Sequence, residues 1–232
     1  MPDKKIVVIS GAGISAESGL ATFRDAGGLW EGYDINDVAS IQGWERDPEN
    51  VQNFYNLRRK QASEAQPNPA HKALAGLEQH FEVSIVTQNV DDLHERGGST
   101  QVLHLHGELR KARSEDDDSL VIDIGSDPIE MGDVAEDGAQ LRPGVVWFGE
   151  MVPMIEPAAI EVSSADILIV VGTSLVVYPA AGLIDYANEG IPKFIIDPSD
   201  PQLLNHEEWT HYKENAGSGV VKLAEKLKKE YA

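Results

Sequence analysis

Five short apolar runs punctuate the chain: Ile6 to Ile9, Val83 to Val86, Val102 to Leu105, Ile167 to Val171 and Phe194 to Ile196. They are rich in valine and isoleucine and do not alternate regularly with polar positions. That is the pattern of strands buried on both faces, as in a parallel sheet. Helix-like stretches lie between them. Pro69 to His80, Pro157 to Ser164 and Pro179 to Gly190 each carry a proline near the first turn. A last helix, from about Val220 to Tyr231, ends in a lysine-rich turn that suits a helix C-terminus. The alternation predicts a doubly wound, Rossmann-like α/β fold, a parallel sheet with helices on both faces.

Two stretches break this rhythm. Residues 27–65 hold no convincing buried strand, although Pro48 to Gln66 reads as an amphipathic helix. Residues 108–142 are polar, with an acidic run at Glu115, Asp116, Asp117 and Asp118. A structureless loop of that length is uncommon in a compact domain. Both stretches are therefore assigned to a smaller inserted domain, leaving 1–26, 66–107 and 143–232 to the Rossmann-like one.

Composition narrows the function. The 232 residues suit one large domain or a core with an insert. A formal charge of −20 repels nucleic acid and anionic lipid, so neither is expected as a partner. The chain has no cysteine, which excludes disulfides, a thiolate nucleophile and a cysteine-built zinc site. The opening MPDKKIVVIS has only four apolar residues in a row, too few for a secretory leader. No apolar run approaches the roughly 18 residues that span a bilayer. The expectation is a soluble cytoplasmic protein working as a monomer.

Gly11 and Gly13 follow the first run directly, and Ala16 takes a third small position. This is G-x-G-x-x-A with a strand before it and a helix predicted after it. Gly11 permits the tight turn, Gly13 lets backbone approach a pyrophosphate, and the helix N-terminus favours the anion. A plain strand-to-helix turn shares the pattern. No second strand ending in an acidic ribose ligand follows, which disfavours a hydride-transferring dehydrogenase. Instead comes ATFRDAGGLWEGYD, a loop of glycines and aromatics that either folds over a ligand or is ordinary surface.

Other candidates sit at predicted strand ends. Gln88, Asn89 and Asp91 follow the second run, where ligands bind in open α/β sheets. Their amide and carboxylate groups suit ribose hydroxyls and a carboxamide, or else helix capping. His104 and His106 are two apart and share a strand face, and a histidine near pKa ~6.5 can act as a base. Gly172, Thr173 and Ser174 suit a phosphate or ribose, or a capped turn. Tyr55 and Arg58 are three apart on one helical face and could hold a carboxylate through charge-assisted bonds. Arg59, four from Tyr55, could face it too, and spacing alone does not decide.

The ordered set GAGISAESGLATFRDAGGLW, TQNVDDLHERGG, HLHGEL, RPGVVWFGE and GTSLVVYPAAGL resembles the sirtuins, NAD-dependent protein-lysine deacylases, over most of the chain. The resemblance implies NAD as co-substrate, bound by Gly11, Ala12, Gly13, Ile14, Ala16, Glu17, Phe23, Arg24 and Trp30, with Arg24 closing the loop near the phosphates. It implies that Gln88 and Asn89 hold the nicotinamide ribose, and that Asp91 and Ile14 meet the carboxamide. It makes His106, the histidine before glycine, the catalytic base, with Asn89 also catalytic and His104 structural. Gly172, Thr173, Ser174, Asp197 and Gly217 would meet the adenosine half. Asp197 stands where the family usually has asparagine. Val146, Phe148, Gly149 and Glu150 resemble the strip that pairs with the substrate backbone.

Tyr55 and Arg58 resemble the signature of the class III subgroup, which removes succinyl and malonyl groups from lysine, acetyl being a further substrate. Ala26, Gly27 and Gly28 are consistent with a roomier acyl pocket. Most sirtuins hold a structural zinc with four cysteines between the catalytic histidine and RPGVVWFGE. Here there is no cysteine, no histidine lies between Gly107 and Asn205, and Ser114 stands near the first cysteine position. No metal is therefore expected. The rival readings are a deacetylase-preferring sirtuin, an ADP-ribosyltransferase, and a non-catalytic sensor of NAD or ADP-ribose.

Overall fold

The computed structural model describes residues 4–22, 29–30, 33–201 and 205–232. In chain order its strands are β1 (Lys5–Ser10), β2 (Leu29–Trp30), β3 (Tyr33–Asp34), β4 (Glu82–Thr87), β5 (Val102–His104), β6 (Gly107–Ser114), β7 (Val121–Asp123), β8 (Leu141–Val145), β9 (Ile167–Val171), β10 (Lys193–Ile196) and β11 (Trp209–Tyr212). Its α-helices are α1 (Ile35–Val38), α2 (Ile41–Arg46), α3 (Pro48–Glu64), α4 (Pro69–Leu77), α5 (Leu93–Gly97), α6 (Ile155–Ser163) and α7 (Ala216–Tyr231). The central sheet runs β11-β10-β9-β1-β4-β5, and every neighbouring pair is parallel.

The strands are buried because they are packed from both sides. Ile6 and Val8 of β1 point to a core completed by α4 and α7, while Val7 and Ile9 point to one completed by α6 and a 3-10 segment, Ala180–Tyr186. The chain leaves β1 toward β4 and β5, then returns to β9 on the other side of β1. That reversal makes the carboxyl ends of β1 and β9 the switch point of the sheet, where ligands bind in such folds.

Three expectations change. The glycine turn opens no α-helix. Its residues wind into two 3-10 turns, Ala12–Ile14 and Ala16–Ser18, the second ended by Gly19 at φ 88°. The stretch after Pro179 is also 3-10 rather than α-helical. The edge strand β11 had no apolar run to announce it, because its residues are only partly buried or exposed.

The acidic segment folds into a three-stranded antiparallel sheet, β7-β6-β8, and β8 spans the expected boundary between 142 and 143. Its ties are polar. Ser114, fully buried, donates its hydroxyl to Asp137 Oδ2 at 2.6 Å and accepts from the N–H groups of Asp116 and Asp117. Trp44 Nε1 donates to Glu115 Oε1 at 3.0 Å, linking α2 to this sheet. Among the described residues no helix is long and apolar enough to cross a membrane.

His71 of α4 and His94 of α5 are fully buried, with ring centroids 5.0 Å apart, edge to face. The Asn68 N–H donates to His71 Nδ1 at 3.3 Å, so that nitrogen carries a lone pair. Burial pushes His71 down to about 4. Burial, then the neighbouring His71 and His104, hold His94 well below the usual histidine range. In the unfolded chain each takes up a proton near pH ~6.5. Stability from this pair is therefore complete above that value and is lost as pH falls toward His71's folded value of about 4. For His71 alone the loss is on the order of 3 kcal/mol. Urea unfolding between pH 7.5 and 4.5 should follow that slope, and His71→Gln, which keeps an acceptor but cannot titrate, should flatten it. An equally steep slope in His71→Gln would locate its source elsewhere.

Candidate active site

Register places the expected residues on one edge. Ser10, Thr87, His104, Val171 and Ile196 align across the sheet, so Gly11, Gln88, Leu105, Gly172 and Asp197 come next at its carboxyl end. The turns after β1 and β9 touch through backbone. Gly11 N–H donates to the Val171 carbonyl at 3.0 Å, and Gly13 N–H to that of Gly172 at 2.9 Å. A Cβ on Gly13 would lie 2.7 Å from Gly172 Cα, and one on Gly11 2.7 Å from Thr173 Cβ. Gly172 itself, at φ 64°, would place a Cβ 2.3 Å from the Ile14 nitrogen. The close approach that Gly13 permits here is to the neighbouring turn.

A buried hydrogen-bond network sets the polar groups of this edge. Ser15 Oγ donates to Asp91 Oδ2 and accepts from Asn89 Nδ2, both at 3.1 Å. Asn89 N–H donates to Thr87 Oγ1 at 3.1 Å. Burial raises the Asp91 carboxyl, against the opposing bonds from Leu93 N–H and Ser15. Gln88 Nε2 donates to Thr173 Oγ1 at 3.3 Å, bridging two strand ends. Asn68 Nδ2 donates to the Ile14 carbonyl at 2.7 Å. Asp197 Oδ1 accepts from Ser199 N–H at 2.8 Å, so one carboxylate oxygen is engaged in its own turn. Ser174 is half-buried at the same edge. Glu17 Oε2 accepts from Gly217 N–H at 2.6 Å, which pins the second 3-10 turn, with Ala16 at its start, to α7. Phe23, Arg24, Ala26, Gly27, Gly28 and the side chain of Trp30 lie outside the described residues.

His106 follows β5 and is half-buried. Its Nδ1 lies 3.0 Å from the Gln88 carbonyl. A carbonyl only accepts, so Nδ1 carries the proton and Nε2 the lone pair. Burial lowers its proton affinity, and the bond to Gln88 opposes this only in part. His106 is consequently a neutral imidazole at pH 7, with an acceptor nitrogen at the edge where open α/β sheets bind ligands.

On the other wall, Val146 N–H donates to the His106 carbonyl and Phe148 N–H to that of Ala39, both at 2.9 Å. Phe148 is exposed, and Gly149 sits at φ 93°. The Glu150 carboxylate turns inward. It accepts from Trp147 N–H at 2.6 Å and from Arg113 and Arg142 at 2.8 Å each. Trp147 Nε1 donates to Tyr55 Oη at 3.1 Å. Burial raises the Tyr55 phenol, opposed by the Trp147 bond and then by the charge of nearby Arg58. Arg58 is itself buried. Arg59 takes another course: Nε donates to the Leu109 carbonyl and Nη1 to Asn56 Oδ1, both at 2.6 Å, and the residue is 2% exposed. Arg59 thus anchors α3 to β6.

A model of the Sir2 family matches residues 11–179. The chain belongs to the Sir2 family. An NAD-dependent protein deacylase of Helicobacter pylori strain J99 is 53% identical over 224 residues, covering 97% of this chain and 95% of that protein. One from Bacteroides thetaiotaomicron is 49% identical over 229 residues, covering 97% and 98%. Among solved structures, a mutant Sir2 homologue bound to ADP-ribose matches with a TM-score of 0.89 at 39% identity, covering 97% of this chain and 92% of that one. A Sir2 complex with a p53 peptide and NAD matches at 0.76 and 29% identity, covering 97% and 92%.

Within this Sir2 chain the segment 108–142 offers a tetrahedral zinc no thiol and no imidazole. Ser114, near the first cysteine position, spends its hydroxyl on Asp137. The donor set does not fit the metal, and hydrogen bonds and ion pairs tie the strands instead. Four side chains escaped the sequence reading: Ser15, Asn68, Thr87 and Trp147. The first could have been found as the hydroxyl of GAGIS and the second as the N-cap before Pro69. The other two needed the fold, because their partners lie far away in the chain.

Proposed function

We propose that this Sir2 enzyme is an NAD-dependent protein-lysine deacylase whose preferred acyl groups are succinyl and malonyl, with acetyl a further substrate. The deacylase reading is supported by the relatives' shared name and by the neutral base at His106. NAD, as co-substrate, would supply the ribose carbon that takes the acyl oxygen as nicotinamide leaves, and one water would complete the exchange that leaves the acyl group on ADP-ribose and frees the lysine amine. The chain's residues fit it: the Gln88 and Asn89 amides stand at the sheet edge, and His106 Nε2 is free of its own proton. In this reading Gln88 and Asn89 orient the ribose hydroxyls, Asp91 and Ile14 meet the carboxamide, and His106 takes a ribose hydroxyl proton. The segment around Phe148 and Gly149 receives the substrate strand.

The single observation behind the acyl preference is a guanidinium and a phenol buried together on α3. Trp147 Nε1–H can only donate, so the Tyr55 oxygen accepts from it and its own O–H is left to donate to a carboxylate. Charge-assisted bonds to a distal carboxylate are worth about 1.5–3 kcal/mol, or roughly 10- to 150-fold in kcat/KM. Mass spectrometry of succinyl-, malonyl- and acetyl-lysine peptides incubated with enzyme and NAD tests the reading. Arg58→Met should cut desuccinylation by that factor while deacetylation holds or improves. Arg59→Met is unsuitable as a control, since it would release α3 from β6. The exposed Lys60→Met serves instead. Equal loss on all acyl peptides would make Arg58 structural.

A further inference from the structure

Two histidines near the end of β5 each grip a carbonyl of the segment that carries Gln88 and Asn89. His106 Nδ1 lies 3.0 Å from the Gln88 carbonyl oxygen, and His104 Nδ1 lies 2.9 Å from that of Asn89. The rings differ in what meets the other nitrogen. His104 Nε2 lies 2.8 Å from Glu95 Oε1 on α5, whereas no carboxylate meets His106 Nε2 among the described residues. A carbonyl and an ionised carboxylate both only accept. A neutral His104 would have to point a lone pair at one of two oxygens less than 3 Å away. His104 therefore carries a proton on each nitrogen, and His106 on one. A charged ring at the end of β5 and a neutral ring in the turn that follows thus stand two residues apart, which replaces the shared strand face expected from spacing.

We propose that His104, kept as an imidazolium by Glu95, is a positioning residue for the deacylation reaction, fixing the Asn89 backbone and with it the amide that orients the ribose. The inference rests on the proposed function for what Asn89 does. Its geometric basis is the grip itself. Asn89 is held at its N–H by Thr87 Oγ1, at its carbonyl by His104 and at its side chain by Ser15, which also holds Asp91. Removing the second proton from His104 turns one of these attractions into a lone-pair repulsion and releases either Asn89 or Glu95.

The surroundings favour the charged ring. Burial works against it, but the hydrogen bond and charge of Glu95, then the Asn89 carbonyl and Glu108, leave its proton affinity raised. Glu95 responds in the opposite sense: burial raises its carboxyl, and the His104 bond and charge, with Arg110 adding, bring it below the usual range. The other ionisable neighbours are Asp91, whose carboxyl feels the His104 charge, and neutral His94. A histidine raised in this way stays charged at pH ~6.5 and gives up its proton only above that value.

The test is a set of pH profiles of kcat and of KM for NAD on an acyl-lysine peptide, for the unmutated enzyme, Glu95→Gln and His104→Gln. Melting temperature and calorimetric NAD binding are measured at each pH. The unmutated enzyme should show an alkaline limb that Glu95→Gln moves to lower pH, with the acid limb unmoved. NAD binding in Glu95→Gln should begin to weaken at correspondingly lower pH. His104→Gln should abolish that limb and lower kcat by roughly 100-fold, the cost of a misplacement of about 1 Å, with folding retained. An alkaline limb that stays in place in Glu95→Gln, or a kcat that falls only in step with the folded fraction, would overturn the proposal. No turnover by the unmutated protein would overturn the deacylase reading instead, and NAD binding across the same pH range would still decide the role of His104.

Discussion

His106→Ala is expected to lower deacylation by about 100- to 10,000-fold, the usual contribution of a general base, while NAD still binds. The Gln88 carbonyl at 3.0 Å fixes the proton on Nδ1 and leaves Nε2 as the acceptor. Burial lowers the proton affinity of the ring, so the basic form persists at neutral pH and the acid limb of activity lies below the ordinary histidine value of ~6.5. Lost activity below that limb reflects protonation of the base, and raising the pH restores it. Single-turnover deacylation with calorimetric NAD binding separates chemistry from binding. Activity within a few-fold of the unmutated enzyme would remove His106 from the mechanism.

Glu150→Ala is expected to destabilise the fold by about 3–5 kcal/mol, the cost of deleting one partner of a buried ion pair. The carboxylate joins Arg113, Arg142 and the Trp147 N–H, and the Arg142 guanidinium lies over the Trp147 ring at 3.3 Å from its centroid. Burial lowers Arg142's proton affinity, and the bond to Glu150 restores part of it. Without Glu150, two mostly buried guanidinium groups face one another with no shared counter-charge. Urea unfolding should show the loss, and Glu150→Gln, which keeps acceptor and shape, should lose less. If Glu150→Ala were as stable as the unmutated protein and only KM for the peptide rose, the carboxylate would be a peptide contact, as its motif position had implied.

The runs in β1, β4, β5, β9 and β10 could be read from sequence because sandwiching between two helical layers removes polar positions from most of each strand. β11 could not, since the polar Thr210 and His211 at its centre are exposed and interrupt any apolar run. The helix expected after Gly13 failed for a physical reason: the backbone there is drawn to Gly172, a contact 159 positions away that no local pattern encodes. Histidine before glycine marked His106, but what separates it from His104 is the identity of the atom facing Nε2, and that is a property of the fold. Arg58 and Arg59 look equivalent on a helical wheel. Only the arrival of β6 beside α3, offering the Leu109 carbonyl, tells them apart.

Hydrogen bonds from Ser114 to Asp137 and from Trp44 to Glu115 tie the antiparallel module. With no cysteine in the chain, the module offers no thiolate to oxidants or alkylating agents. Its weak points are electrostatic, because concentrated salt screens the exposed pairs and strong acid neutralises the carboxylates. A module held this way responds to salt and acid at the point where a thiolate-held one would respond to oxidants.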